Sequence, residues 1–158
     1  MATDDCGKIV IIFSGGCRCG NVQYTSTAPP SDITFCYCRA CQQVSGSGYL
    51  AFLEVPTCSF RFISSSSLKR IELSQSAKRT FCGDCGSPIT MVYNLEPSIT
   101  AMTVGSIDEE SYKCEKPKTK RHIFVKEKAS WTPIPEDGAP RLEMSPVAHS
   151  MVPHSPVG

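Results

Sequence analysis

The sequence lacks a long hydrophobic run, and the apolar stretch near its N-terminus covers only Ile9 to Phe13. Such a stretch is too short for a membrane-spanning helix or for the hydrophobic region of a signal peptide. The chain also starts with the acidic residues Asp4 and Asp5, where a signal peptide carries basic ones. We therefore expect a cytoplasmic protein that has no membrane partner.

The sequence also lacks a strong net charge. Its 16 lysines and arginines nearly balance its 15 aspartates and glutamates, which leaves a formal charge of +1. The lysines between residues 113 and 128 are interspersed with Glu115 and Glu127, so they form no continuous basic segment. Nucleic-acid binding depends on clustered positive charge, and this composition therefore argues against a nucleic-acid partner.

No segment shows a long helical period of apolar residues, whereas several short runs have the β-branched, apolar composition of strands. We predict strands within residues 8–14, 20–27, 33–37, 49–55, 68–75, 78–81, 89–93 and 98–104. One short helical turn is expected at residues 38–44. These patterns are typical of a mainly β protein.

The length of 158 residues is sufficient for one domain with a modest core. Prolines recur at positions 135, 140, 146, 153 and 156, and a proline-rich terminal segment favours an extended chain. We therefore assign residues 1–135 to the domain and residues 136–158 to a C-terminal tail.

Cysteine, in contrast, is abundant, with ten residues in the chain. In a cytoplasmic protein, clustered cysteines bind metal more often than they form disulfides. Seven of the ten fall into three clusters: Cys17 and Cys19; Cys36, Cys38 and Cys41; Cys82 and Cys85. The succession of C-x-C, C-x-C-x-x-C and C-x-x-C predicts metal binding more strongly than a single C-x-x-C would.

The number of cysteines in each cluster predicts two different zinc sites. Structural zinc takes four protein ligands, whereas catalytic zinc takes three and keeps one position for water or substrate. The two cysteine pairs together supply four ligands, and we call them the tetrad (Cys17, Cys19, Cys82 and Cys85). The remaining cluster, called the triad (Cys36, Cys38 and Cys41), matches the catalytic pattern.

The triad has an alternative interpretation as a second structural site. Cys58, Cys114 or His122 would then supply its fourth ligand, since four-ligand sites are the usual pattern for zinc. Otherwise Cys6, Cys58 and Cys114 are expected to be buried free thiols, which pack as small hydrophobic side chains. In the same way, Phe124 and Trp131 are expected to belong to the core.

Six short motifs of the sequence resemble those of a known family. They are Gly-Cys-x-Cys-Gly at 16–20, Cys-x-Cys-x-x-Cys at 36–41 followed by Ser-Gly-Ser at 45–47, Thr-Phe-Cys-x-x-Cys-Gly-Ser-Pro at 80–88, and the segments 104–108, 122–125 and 128–131. Together they resemble the glutathione-dependent formaldehyde-activating enzyme family, which includes centromere-protein-V-like proteins. One departure is Gln42-Gln43, where the family often has a basic residue.

The resemblance implies a small zinc-stabilised β-tent fold of short antiparallel sheets. It also implies that the tetrad binds a structural zinc ion and that the triad binds a catalytic or substrate-linked one. The implied activity is that of a carbon–sulfur lyase, which joins glutathione to formaldehyde as S-hydroxymethylglutathione. The implied partners are therefore glutathione, or a similar thiol, and an aldehyde-like substrate.

The addition of a thiol to an aldehyde also requires a proton for the carbonyl oxygen. His122 is a candidate donor because histidine titrates near neutral pH, although a histidine that hydrogen-bonds within the fold is the alternative. A noncatalytic zinc module for protein or nucleic-acid interaction remains the second functional hypothesis. A zinc–water hydrolase is disfavoured because such enzymes use histidine and carboxylate ligands.

Overall fold

The computed structural model describes residues 9–146, which form ten short strands, one α-helix and four 3-10 turns. The strands are β1 (Phe13–Gly16), β2 (Val22–Ser26), β3 (Ile33–Cys36), β4 (Leu50–Pro56), β5 (Phe60–Ser65), β6 (Leu68–Ser74), β7 (Ala77–Cys82), β8 (Pro88–Tyr93), β9 (Ile99–Thr103) and β10 (Thr119–Ile123). The helix α1 spans Arg39–Ser45, and the 3-10 turns span Thr57–Ser59, Val104–Ser106, Glu109–Ser111 and Val125–Glu127. The prediction of a mainly β protein is confirmed.

The strands form two sheets. The smaller sheet has the order β1-β2-β5, and the larger has the order β10-β3-β4-β9-β8-β7-β6. All neighbouring strands are antiparallel except β10 and β3, which are parallel. The larger sheet is therefore mixed, because β10, the last strand in the sequence, pairs in parallel with the edge of β3.

The larger sheet has a different environment on each face, because neighbouring side chains on a strand point in opposite directions. Leu53 and Met102 pack with Val22 and Tyr24 of the smaller sheet in one buried cluster. Phe52 and the triad belong to a second cluster on the opposite face, together with Met91, Ala101 and Ile123. The fold thus separates a sheet-to-sheet core from the face that carries the triad.

The predicted strands agree with the observed ones except in three places. β1 begins at Phe13, whereas we expected a strand from residue 8, which lies outside the described residues. β5 and β10 were not predicted as strands. β5 was missed because its sequence FRFISS runs directly into the serine-rich turn at residues 66–67, and serine-rich segments are typical of loops.

The first part of the expected C-terminal tail lies against the domain. The backbone N–H of His122 donates to the Pro140 carbonyl, and the N–H of Leu142 donates to the His122 carbonyl, each over 2.8 Å. The remainder of the tail, residues 147–158, lies outside the described residues. None of the helical segments within residues 9–146 has the length and apolarity that a membrane span requires.

Candidate functional site

The tetrad brings together cysteines from two turns that are far apart in the sequence. Cys17 and Cys19 follow β1, whereas Cys82 ends β7 and Cys85 lies in the turn after it. The four sulfur atoms all lie within 4.8 Å of one another, with 3.4 Å between the Cys17 and Cys19 sulfurs and 3.6 Å between those of Cys19 and Cys82. A tetrahedron with zinc–sulfur bonds near 2.3 Å has edges of about 3.8 Å. The tetrad therefore fits a four-coordinate metal ion.

Local hydrogen bonds hold the tetrad in this arrangement. The backbone N–H of Val22 donates to the Cys17 sulfur over 3.2 Å. Hydrogen bonds from the side chain and the backbone of Ser87 lower the pKa of the Cys85 thiol to about 5. Gly86, between Cys85 and Ser87, has a φ of 76°. Glycine adopts this left-handed conformation without steric cost, so the chain can turn at this position. The turn thus favours the thiolate form that binds metal.

The triad is built around the start of the only α-helix among the described residues. Cys36 ends β3, Cys38 is the N-cap of α1, and Cys41 lies in its first turn. The Cys38 sulfur accepts a hydrogen bond from the Cys41 backbone N–H over 3.4 Å. All three side chains are buried, and their sulfur atoms lie within 4.8 Å of one another. The triad is therefore a second group of sulfur ligands that could hold a metal ion.

One arginine contributes positive charge to the triad. Arg79 on β7 donates a hydrogen bond from Nη2 to the Cys41 sulfur over 3.4 Å, and its guanidinium lies 5.8 Å from the centre of the Phe52 ring. Hydrogen bonds from the Cys36 and Cys38 thiols, followed by the charge of Arg79, hold the pKa of Cys41 well below its usual value. The same contacts with Cys38 and Cys41 hold the pKa of Cys36 well above it. Three thiolates at such short distances require a cation, because like charges disfavour ionisation.

The side chains that we considered as a fourth ligand of the triad do not join it. Within residues 9–146, no further histidine, cysteine, aspartate or glutamate lies within 4.8 Å of all three sulfurs. Cys58 is exposed in the turn Thr57–Ser59, which also corrects the expectation that it is buried, and Cys114 is half-buried. Cys6 lies outside the described residues.

A cavity opens on the face of the larger sheet that carries the triad. Its apolar side includes Phe52, Met91, Ala101 and Ile123, and its polar side includes Glu54, Arg79, Tyr93 and Arg121. Pairs of lining residues two positions apart come from the same strand, as with Met91 and Tyr93 of β8. Arg79 and Tyr93 were not among the site residues predicted from the sequence, although strand alternation places Tyr93 on the same face as Met91.

Tyr93 and Arg121 are two polar side chains of this cavity that make few contacts with other polar groups. Among residues 9–146, the structure gives the Tyr93 hydroxyl no hydrogen-bond partner, and it gives the Arg121 side chain one, from Nε to the Thr34 hydroxyl over 3.2 Å. Burial, followed by the charges of Cys36 and Cys41, raises the pKa of Tyr93, so its phenol stays protonated at neutral pH. The cavity therefore offers hydrogen-bond donors beside the triad.

His122 lies on β10, which pairs with the strand β3 that ends at Cys36, but its side chain makes its contacts away from the triad. It is fully buried, with Tyr37 Oη 3.1 Å from its Nδ1 and Asp137 Oδ2 3.1 Å from its Nε2. Its neighbours Arg121 and Ile123 line the cavity, and strand alternation directs His122 away from it. The structure therefore does not bring His122 together with the three cysteines.

The two aromatic residues that we expected in the core differ from each other. Phe124 is buried and lines the cavity, which confirms the expectation. Trp131 is 71% exposed, so the expectation was wrong for this residue. It lies in a turn after the last 3-10 segment, where no strand face is available to bury a large ring.

Comparisons with known proteins agree with this geometry. A family model described as glutathione-dependent formaldehyde-activating enzyme matches residues 12–127, which include every cysteine of the tetrad and the triad. A crystal structure of a Rhodobacter sphaeroides protein is similar in fold, with a TM-score of 0.52 and 19% identity over 61% of this chain and 88% of that chain. No curated protein matches the sequence significantly.

Proposed function

The chain belongs to the glutathione-dependent formaldehyde-activating enzyme family, and on this premise we propose that it is a zinc-dependent enzyme of the carbon–sulfur lyase type. It adds a thiol such as glutathione to an aldehyde-like carbon, or eliminates the thiol from the adduct. The observation that carries the proposal is the triad: three buried sulfur atoms without a fourth protein ligand among residues 9–146, at the wall of a cavity.

We assign one zinc ion to each cysteine group. The tetrad supplies four sulfur ligands, which is the arrangement of a structural site, and it joins the β1 turn to the β7 turn. The triad supplies three, which is the arrangement of a site that also takes a substrate ligand. A zinc ion on the triad would bind the substrate sulfur in its thiolate form, which is the form that attacks a carbonyl carbon.

The residues around the triad have roles that follow from their positions. Arg79 offsets the negative charge that collects where three cysteine thiolates meet a substrate thiolate. Phe52 and Met91 exclude water from the reacting atoms, because they form the apolar side of the cavity. Holding thiol and aldehyde together in this space makes a bimolecular addition effectively unimolecular.

The proton inventory of the reaction balances without a further reactant. The thiol loses one proton when its sulfur becomes a thiolate, the carbon–sulfur bond forms, and the carbonyl π electrons move to the oxygen. That oxygen then takes up one proton to give the hydroxyl of the adduct. We propose the Tyr93 hydroxyl as the donor that stabilises this oxygen, since it lines the cavity and is free of other partners among residues 9–146.

His122 receives a different role in this proposal from the one that the sequence suggested. Both of its ring nitrogens are engaged by Tyr37 and Asp137, so neither can reach a substrate oxygen without loss of a buried contact. We therefore propose that His122 positions other groups, and that Tyr93 is the hydrogen-bond donor to the carbonyl oxygen. We also propose a reducing compartment such as the cytoplasm, where clustered cysteines bind metal more often than they form disulfides.

The test is direct binding of a thiol to the metal at the triad. In the cobalt-substituted protein, glutathione is expected to strengthen the sulfur-to-metal charge-transfer absorption and to release about one proton per chain near neutral pH. The Cys58→Ser variant is the matched control, because Cys58 is exposed and belongs to neither group. An unchanged spectrum in the wild-type protein would favour the noncatalytic zinc module instead.

A further inference from the structure

The segment 137–145 runs beside β10 as an additional strip of backbone. The bonds of His122 to Pro140 and Leu142 continue with a hydrogen bond from the Val125 N–H to the Leu142 carbonyl over 3.1 Å, and His122 and Arg141 form a parallel β-bridge. An ion pair of 2.6 Å between Lys126 and Glu143 lies at the end of this strip. The segment is therefore attached along its length, not merely adjacent to the domain.

A side-chain contact with the buried His122 ring fixes the start of the strip. Asp137 receives a hydrogen bond from the Ala139 N–H over 3.1 Å, and this bond, followed by the contact with His122, lowers the pKa of its carboxyl group. A carboxylate only accepts hydrogen bonds, so His122 donates from Nε2. In neutral His122 the other nitrogen, Nδ1, then accepts from the Tyr37 hydroxyl. The hydrogen bonds therefore run in one direction: the Tyr37 hydroxyl donates to His122, and His122 donates to the Asp137 carboxylate.

The far end of the strip reaches the triad cavity. Leu142 packs against the buried cluster that contains the triad, and Met144 and Ser145 line the cavity itself. Ser145 is buried, whereas Met144 is 47% exposed, so the methionine side chain forms the outer part of this wall. A thioether side chain with three rotatable bonds adapts its shape to an apolar ligand surface.

The same histidine also connects the strip to the triad. Tyr37 is the residue between Cys36 and Cys38, and its backbone N–H donates to the Ile123 carbonyl over 3.0 Å. Its hydroxyl binds His122, whose opposite nitrogen binds Asp137. One buried ring therefore holds both the loop that carries two of the sulfur ligands and the segment that walls the cavity.

We propose that residues 137–145 form a wall of the triad cavity that selects the substrate by size, and that His122 and Asp137 are the positioning residues that hold this wall in place. The segment lies beyond residue 127, where the family match ends. The wall is therefore a feature of this chain outside the matched region, and it faces the part of a substrate that does not react. The substrate assignment rests on the proposed function, whereas the position of the wall does not.

The first measurement tests the wall without any assumption about the reaction. The zinc-loaded protein is treated with N-ethylmaleimide and with a bulky fluorescein maleimide, and modification of the triad cysteines is followed by peptide mass spectrometry. Exposed Cys58 serves as the internal control. Asp137→Ala is expected to raise the ratio of the bulky reagent's rate to the small reagent's rate at the triad about fivefold, because the loss of one hydrogen bond makes local opening easier. Met144→Ala is expected to raise the same ratio, because it removes the side chain that forms the outer part of the wall. The ratio at Cys58 stays unchanged.

Variants that separate wall from fold complete this experiment. Leu95→Ala removes another exposed apolar side chain, from the turn after β8, and is expected to leave the ratio unchanged. Asp137→Asn keeps an oxygen for the histidine N–H and is expected to recover most of the wild-type ratio. A ratio that stays at the wild-type value in both Met144→Ala and Asp137→Ala overturns the proposal, whether or not the protein binds a thiol.

The second measurement tests selection itself by calorimetry with two thiols. Met144→Ala is expected to change the Kd for glutathione about fivefold and to leave the Kd for 2-mercaptoethanol nearly unchanged, because the smaller thiol does not reach the wall. Equal changes for both thiols contradict size selection. Absence of binding in the wild-type protein contradicts the proposed function, and the maleimide ratio alone then decides whether the wall exists.

Discussion

Arg79 Nη2 lies 3.4 Å from the sulfur of Cys41, although the two residues are 38 positions apart in the chain. The contact links β7 to α1 across the cavity face of the larger sheet. It is also the one contact between a triad sulfur and a cationic side chain that the structure gives among residues 9–146. Arg79, Tyr93 and Cys38 lie on this cavity face, and their substitution is expected to affect function, whereas substitution in the tetrad is expected to affect folding.

Removal of the Arg79 charge is expected to weaken thiol binding. Arg79→Met keeps much of the side-chain volume but loses the guanidinium, so the Kd for glutathione should rise about tenfold. Titration calorimetry of the zinc-loaded protein measures this change. Arg70→Met is the matched control, because Arg70 is exposed and lies outside the cavity. Equal Kd values for the two variants would show that the charge of Arg79 does not act on the substrate.

Loss of the Tyr93 hydroxyl is expected to slow the reaction more than it weakens binding. Tyr93→Phe retains the ring in the cavity wall but removes the proposed donor to the carbonyl oxygen, and kcat should fall about 100-fold with little change in KM. Steady-state kinetics with glutathione and formaldehyde provide the measurement. Tyr49→Phe is the control, because Tyr49 is exposed and does not line the cavity. A fall in both variants would indicate a structural effect.

Substitution of Cys38 should separate its role as a ligand from its role as a helix cap. Cys38→Ala and Cys38→Ser should both lose one zinc ion and all thiol binding, while the rest of the domain stays folded, since the triad spans only six residues. The serine variant keeps an acceptor for the Cys41 N–H, so it should be about 1 kcal/mol more stable than the alanine variant. Metal analysis and thermal unfolding test both parts. Global unfolding of both variants would contradict a functional triad.

Substitution within the tetrad should instead abolish the fold. The free energy of binding a structural zinc ion, on the order of 10 kcal/mol, is comparable to the whole stability of a domain. Cys82→Ser should therefore give insoluble or unfolded protein, as judged by circular dichroism. Cys58→Ser should melt like the wild type, because its thiol is exposed and isolated from both groups. A Cys82→Ser protein that melts at the wild-type temperature would exclude a structural zinc at this site.

The chemistry of the sulfur groups could be predicted from the sequence because each cluster is local. The C-x-C at Cys17 and Cys19 and the C-x-x-C at Cys82 and Cys85 place two sulfurs on one side of a short turn, whatever the rest of the chain does. Most strands were recognised for the same reason, since composition and alternation are properties of a few neighbouring residues. β10 escaped detection because the charged sequence TKRHI has no strand pattern of its own.

The tertiary structure decided everything that depends on residues far apart in the chain. His122 looked like a proton donor because of its chemistry, yet pairing of β10 with β3 places its ring between Tyr37 and Asp137. The segment 137–145 lies along β10 and brings Met144 and Ser145 to the cavity, although its prolines predicted a tail. The sequence by itself determined which residues can bind metal and which segments can be strands, because those properties are local. Which side chains face the triad was decided only by strand order and register, since a shift of one residue would turn Arg79 and Tyr93 to the opposite face.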